Sequence, residues 1–263
     1  MRVFPVIAIL VMVILSGCIQ REIPLPSPQV PSTVNDVADG ILTITFVYFH
    51  WGEYPDAWRT DIDLDRMERT FDKIECPLIR EYHFHDPVYL PILATTKEKM
   101  SLDIYYYWYQ EYPDDAVMTF LASDVIVAIV DIKAEWEIPD ISQGFATGHA
   151  KENWGGVVLG TNYLYKWRHR EASPDIYSNP VVMDELYNNI AMTIVHEIGH
   201  EFGAPDHYNP SQPGYEAPGT DMENCLYGYN QWNISSVVLC DYCKQFVHWR
   251  EHYKTYIDWF FFG

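Results

Sequence analysis

His196-Glu197-Ile198-Gly199-His200-Glu201-Phe202-Gly203-Ala204-Pro205-Asp206-His207 is the stretch whose reading decides the rest of the chain. Two histidines four residues apart lie on one face of a helix, one turn from each other, with the Glu197 carboxylate beside the first. Imidazoles so placed can grip a single Zn²⁺, and Glu197 is then positioned to take a proton from a metal-activated water. Gly203, three residues past His200, permits φ > 0 and a sharp exit from the helix, which can return a third ligand to the metal. Spacing from that turn selects Asp206; residue type alone selects His207, because imidazole is the commoner ligand. Adjacent side chains leaving a turn point in different directions, so one of the two faces the metal. A carboxylate there leaves the site with one less positive charge and a weaker Lewis acid.

Upstream, the helix that carries the motif is well specified. Asn179 can cap it, Pro180 suits its first position, and Asp184 and Glu185 lie near its positive end. Leu186, Ile190, Ile194 and Ile198 recur every four residues and should bury against a sheet. Met192, His196 and His200 form the adjacent row, which turns the ligands toward a cleft. The expected span is about 180–202, ended by Gly203 and Pro205. Elsewhere the pattern is α+β, a twisted mixed sheet packed on helices. Ile41–Phe49 and Arg80–Leu90 read as extended, Asp124–Ile132 as a buried Val/Ile strand, and Gly155–Tyr163 as a glycine-flanked apolar strand. Leu64–Ile74 has helical spacing, Glu98–Tyr109 reads as helical, and a C-terminal helix is expected from near Ser235 through Trp249 toward Tyr256.

Over the dozen motif residues the chain resembles the metzincin metallopeptidases, whose longer signature is H-E-x-x-H-x-x-G-x-x-H/D, and the run Pro205-Asp206-His207 is most similar to the snapalysin type. Cys225 followed by the C-x-x-C pair Cys240 and Cys243 gives a partial similarity to the archaemetzincins, although their cysteine nearest the zinc motif is missing here. The resemblance implies a zincin domain that holds one catalytic zinc through His196, His200 and Asp206 (or His207) and cleaves peptides internally. It implies a methionine turn beneath the metal, a role open to Met222 unless Tyr227 replaces it. It implies a strand that rims the cleft and pairs with bound peptide through main-chain hydrogen bonds, here Gly156–Gly160 or Gly144–Ala150. By the same resemblance, Tyr227 or Tyr229 would stabilise the tetrahedral intermediate, and a structural Cys₄ zinc site is an alternative for the cysteines. A gluzincin-type peptidase would instead take its third ligand from a later helix; Glu251 is the well-placed candidate, with Gly203 and Asp206 weighing against it.

Arg2, the apolar run Val3–Leu15 and the sequence Leu15-Ser16-Gly17-Cys18 have the proportions of a signal peptide, too short for a stable membrane span. The last four residues are similar to a lipobox, which implies a prokaryotic lipoprotein lipidated on Cys18, exported, and held at the outer face of the membrane or in the periplasm. Residues 18–40, with Pro24, Pro26, Pro28 and Pro31, read as a semi-extended tether, and 41–263 as one metallopeptidase domain. Of the 17 basic residues only Arg2 lies in 1–17, so the remainder carries 16 basic against 37 acidic residues, or −21. That balance excludes nucleic acid as a partner and suits a self-repelling, monomeric surface. The expected partners are a peptide or protein substrate and a membrane.

An oxidising compartment predicts at least one disulfide among Cys76, Cys225, Cys240 and Cys243, with three pairings open. His83 and His85 read as polar surface, and His50, His149 and His169 as ordinary histidines. Tyr105, Tyr106, Tyr107, Trp108 and Tyr109 read as packing, and the terminal Trp259–Phe262 run as docking on the domain. The function these features predict is membrane-anchored, zinc-dependent hydrolysis of peptide bonds by metal-activated water; the alternative is a non-catalytic surface lipoprotein with a structural zinc and a peptide-binding cleft. The lipobox generates the first prediction: the mature protein starts at a lipidated Cys18, and Cys18→Ser leaves the precursor unlipidated or frees it from membranes. Mass spectrometry of the mature amino terminus decides it, and an unmodified start elsewhere contradicts it.

Overall fold

The computed structural model describes residues 40–52, 58–59, 62–94, 103–130, 147–149, 156–160, 179–207, 214–228 and 234–250. The expected signal peptide, Cys18, the expected tether up to residue 39, His169, Tyr229, Glu251 and the terminal aromatic run lie outside them. Six strands form one sheet: β1 (Ile41–His50), β2 (Ile79–Phe84), β3 (Val88–Tyr89), β4 (Val125–Val130), β5 (Thr147–His149) and β6 (Gly156–Gly160), in the order β2-β1-β4-β6-β5, with β3 also on β1. β2, β1, β4 and β6 are parallel, registered through Ile44↔Tyr82, Phe46↔Val127 and Ala128↔Val158. β5 runs antiparallel to β6, with Gly148 opposite Leu159. The four α-helices of the described residues are α1 (Leu64–Lys73), α2 (Asp103–Glu111), α3 (Pro113–Ala122) and α4 (Pro180–Glu201). The fold is α+β.

Helices on both faces explain why β1 and β4 are buried along almost their whole length, whereas β2 at the end of the sheet order alternates. Leu42, Ile44, Phe46 and Tyr48 of β1 point one way, onto Met67 and Phe71 of α1 and Ile190, Ile194 and Ile198 of α4. Val47 and Phe49 point the other way, with Ile126 and Ala128, onto Ile104, Tyr105 and Trp108 of α2 and Phe120 of α3. The aromatic run of α2 is packing at Tyr105 and Trp108, which are fully buried, whereas Tyr106 is exposed and Tyr107 and Tyr109 are half-buried; the Tyr105 hydroxyl donates to the Ile126 carbonyl at 2.7 Å.

α1 and α4 are joined on the same face by one guanidinium. Arg66 donates to Asp63, the α1 cap, at 2.7 Å and to Asp184 of α4 at 2.8 Å, and it also reaches Asn188. Asp184, expected to serve the helix's positive end, is thus a partner for Arg66. α4 itself starts where the sequence places it, with the Asn179 side chain accepting from the Val181 amide at 3.0 Å and Pro180 at the first position.

One expectation is corrected, and one element is new. No α-helix forms over 234–250: the segment contains a β-bridge at Val238 to Cys225, turns, and a short 3₁₀ turn, Cys243–Gln245. Its apolar residues, Val237, Leu239, Cys240 and Cys243, are buried in the core beneath α4, so convergence on one small area overrides helical spacing. α3, opened by Pro113 with Asp114 and Asp115 in its first turn, was not anticipated. His85 and Trp108 both bond to Asp115, at 3.1 and 3.0 Å, which fixes α3 against its neighbours.

Candidate metal centre

The two histidines owe their position to the row on α4 that lies beside its buried face. Ile194 and Ile198 are fully buried, and His196 and His200 emerge next to them, each partly buried. Their Nδ1 atoms lie 2.7 Å from the Leu226 carbonyl and 2.6 Å from the Ala204 carbonyl. A carbonyl only accepts, so each Nδ1 carries the proton and each Nε2 is left with a lone pair. Those two Nε2 atoms face each other at 3.0 Å.

Asp206 completes the triangle. α4 ends in a Schellman closure: Gly203, at φ +90°, donates to the His200 carbonyl, and Ala204 donates to the Gly199 carbonyl. The reversal delivers Asp206 Oδ1 to 3.4 Å from His196 Nε2 and 3.3 Å from His200 Nε2. Oδ1 is buried and makes no hydrogen bond, as it cannot when both facing nitrogens are acceptors. Three mutually repelling lone pairs converge on one point. Zinc–nitrogen and zinc–oxygen bonds of about 2.0–2.1 Å in a tetrahedron set the ligand atoms about 3.3–3.4 Å apart, which the two separations to Asp206 match and the 3.0 Å between the imidazoles falls somewhat short of. Charge agrees with geometry. Burial disfavours a charged His200, yet the Asp206 carboxylate outweighs it and raises the imidazole's affinity for a proton. Burial likewise works against the Asp206 carboxylate, and a proton on either facing Nε2 outweighs it and holds the carboxylate well below the usual range. The pocket attracts a cation.

Glu197 is 7% exposed, its Oε1 4.0 Å from His196 Nε2. It shares with both imidazoles a cluster whose ligand atoms all lie within 4.8 Å of one another, farther from His196 Nε2 than Asp206 Oδ1 is. Glu201, one turn further, is fully buried and accepts the Gly156 amide at 3.2 Å, tying the end of α4 to the start of β6. β5, the outer of the two strands proposed as a rim, lies at the end of the sheet order.

Beneath the imidazoles lies a tight turn, Cys225–Gly228, closed by the Gly228 amide on the Cys225 carbonyl at 2.9 Å. Of the two residues considered for this position, the structure places Tyr227 there: its ring sits 4.7 Å from His196 and 5.2 Å from His200. The Tyr227 hydroxyl is buried without a hydrogen-bond partner, and it occupies the space a side chain on Gly199 would fill, 1.6 Å from an added Cβ. Burial raises its pKa well above that of an ordinary tyrosine. Gly199 is thus the glycine that lets an aromatic ring reach the underside of the site. Met222 sets its backbone carbonyl against Gly228.

His207 turns the opposite way from Asp206. It is fully buried, and its Nε2 lies 3.5 Å from Cys240 Sγ. His207, Cys225, Cys240 and Cys243 offer four ligand atoms all within 4.8 Å of one another. The expected disulfide is not formed: all four cysteines are free, and Cys225 and Cys243 are 3.7 Å apart, well beyond a covalent S–S bond. Cys76 is elsewhere, after α1 beside Leu78, where burial pushes its thiol up to about 11. The Cys₄ alternative is corrected with it, because an imidazole takes the fourth place. Sequence reading missed this role for His207; its position next to Asp206, facing the other way, was the available signal. The described residues therefore contain two groups able to hold a metal ion, His207 with Cys225, Cys240 and Cys243, and His196 with Glu197 and His200, beside which Asp206 Oδ1 lies.

No protein-family model matches the chain, and no curated protein does. A solved structure described as a chaperone-substrate complex is similar at 9% identity with a TM-score of 0.38, over 82% of this chain and 33% of its own. This chain thus spans about a third of that one's length, and the likeness is too slight to carry an argument.

Two predictions test the geometry. Asp206→Ala removes one corner of the triangle and abolishes tight metal binding at the paired histidines; retention of that metal contradicts the assignment. Tyr227→Phe deletes a buried hydroxyl that has no partner, so stability is unchanged or rises by about 1 kcal/mol, and any hydrolytic rate changes less than about tenfold. A loss of about 10²–10³ would show instead that the hydroxyl stabilises an oxyanion.

Proposed function

We propose that the chain is a zinc-dependent endopeptidase, exported and anchored to the outer face of a membrane through a lipid on Cys18. The observation that carries this reading is the convergence of His196 Nε2, His200 Nε2 and Asp206 Oδ1, with the Glu197 carboxylate at their side and outside the ligand set. When bound there, zinc supplies Lewis-acid chemistry: it lowers the pKa of a water and polarises a carbonyl. The remaining work belongs to the protein. Leu226 and Ala204 hold the two imidazoles in the tautomer that presents Nε2. Glu197 accepts the proton of the attacking water and passes it to the leaving amine, and its burial keeps bulk water from competing for that proton. β5, at the end of the sheet order, offers main-chain hydrogen bonds to an extended peptide. No helix among the described residues is long and apolar enough to cross a membrane.

Glu197→Gln separates metal from chemistry. The variant keeps its fold and zinc content while kcat on a mixed peptide library falls by about two to four orders of magnitude. Equal cleavage by wild type and variant contradicts the mechanism. No cleavage by zinc-loaded wild type supports a binding lipoprotein instead.

A further inference from the structure

We infer that the cleft between α1 and α4 is a docking site for an acidic peptide segment, held by Arg69 and Lys73. That the segment belongs to a peptide this chain cleaves rests on the peptidase reading; the binding itself does not. Acidic residues outnumber basic ones by 37 to 17, so a place where cations are left over stands apart from the rest of the chain. Arg66, Arg69 and Lys73 fall at i, i+3 and i+7 on α1 and therefore share one face of that helix. With Asp184 and Asn188 of α4 and with Ser235, that face lines a cleft of about 670 Å³.

The carboxylates lining the cleft are already engaged. Asp184 is bound by Arg66 at 2.8 Å, and Arg66 is further occupied by Asp63 at 2.7 Å. Asp72, which also lines the cleft, pairs with Arg80 at 2.9 Å, and Glu68 joins it there. Glu75, just past α1, pairs with Lys244 at 3.0 Å. Arg69 and Lys73 are exposed and, among the described residues, have no carboxylate at ion-pair distance; Arg69 feels Asp184 at longer range. Two positive charges thus remain in one concave site.

A guanidinium offers a carboxylate a planar fork and an ammonium offers a point charge, so the pair suits neighbouring acidic side chains of a peptide. A cleft focuses the field of its own charges, and charges more than about 8 Å away are largely screened at physiological salt. A chain of formal charge −20 can therefore hold an acidic segment here. A flat anionic lipid surface fits less well, because it would also meet the Asp72 and Asp184 side chains, 70% and 60% exposed. Asn188 in the cleft and His196 at the metal site are eight residues apart on α4, about 12 Å along its axis. An extended peptide covers that distance in about four residues. The docked acidic segment accordingly lies at least about four residues from the bond that is cut.

The binding test uses the full chain carrying Glu197→Gln, so that peptide stays whole, with a fluorescent peptide containing a run of glutamates and its all-glutamine counterpart. Fluorescence anisotropy is expected to show saturable binding of the glutamate peptide alone, weakened at least about tenfold by Arg69→Glu and further by adding Lys73→Glu. Arg59→Glu, the same change of charge away from the cleft, leaves affinity unchanged. Equal binding of the two peptides, unchanged affinity in Arg69→Glu, or an equal loss in Arg59→Glu overturns the site. Binding of phosphatidylglycerol vesicles through Arg69, without binding of the peptide, assigns the cleft to a lipid headgroup and overturns it too. For the substrate half, the chain with Glu197 intact is expected to cleave a peptide bearing the glutamate run with a KM at least about tenfold below that of the glutamine version. Arg69→Glu with Lys73→Glu removes that advantage and leaves cleavage of the glutamine version unchanged. Equal KM values despite binding overturn the substrate role. Binding of the glutamate peptide with cleavage of neither overturns the peptidase reading and leaves the docking site standing.

Discussion

Gly203, at φ +90°, lets α4 stop one residue after its last turn and sends the chain back across its own ligands. Any residue with a Cβ is strained in that conformation, and a helix that continued would carry Asp206 away from the histidines. The closure uses the carbonyls of Gly199 and His200 as acceptors, and the next carbonyl, that of Ala204, accepts the His200 Nδ1 proton. One reversal therefore satisfies the end of the helix, fixes a histidine tautomer and brings in a carboxylate. Without it the paired histidines are two polar residues on a helix.

The sheet and α4 give that reversal something rigid to act against. Ile190, Ile194 and Ile198 lock one side of the helix to β1 and β4, and Glu201 ties its end to the start of β6. The ligand row is then a fixed edge of a buried helix, and a second layer is built below it from the Cys225–Gly228 turn and the Cys240–Cys243 knuckle. Tyr227 fills the gap between the layers, which Gly199 leaves open. The two imidazoles are thus held by backbone carbonyls and by packing on Tyr227.

Much of this was legible in the sequence, because periodicity and special residues leave local signals. The cap at Asn179, Pro180, the isoleucine row and Gly203 each specify a local conformation, and α4 with its ligands follows from them. The buried strands β1 and β4 were equally plain from their apolar content. The segment 234–250 was misread because its apolar spacing fits a helix, whereas its cysteines and Val238 are drawn to partners far away in sequence. Non-local convergence leaves no period to read. The same limit hid His207: one histidine and three cysteines spread over residues 207–243 become a cluster only when the turn folds. The disulfide expectation rested on compartment alone, and geometry that gathers three thiols around an imidazole gives them a different use.

The central claim is that one ion sits where His196, His200 and Asp206 converge. Crystals of the zinc-loaded protein, with anomalous scattering recorded on either side of the zinc edge, test this most directly. The account predicts an anomalous peak about 2 Å from His196 Nε2, His200 Nε2 and Asp206 Oδ1. A zinc-loaded crystal with no peak at that point, or with Asp206 turned away from it, would contradict the account.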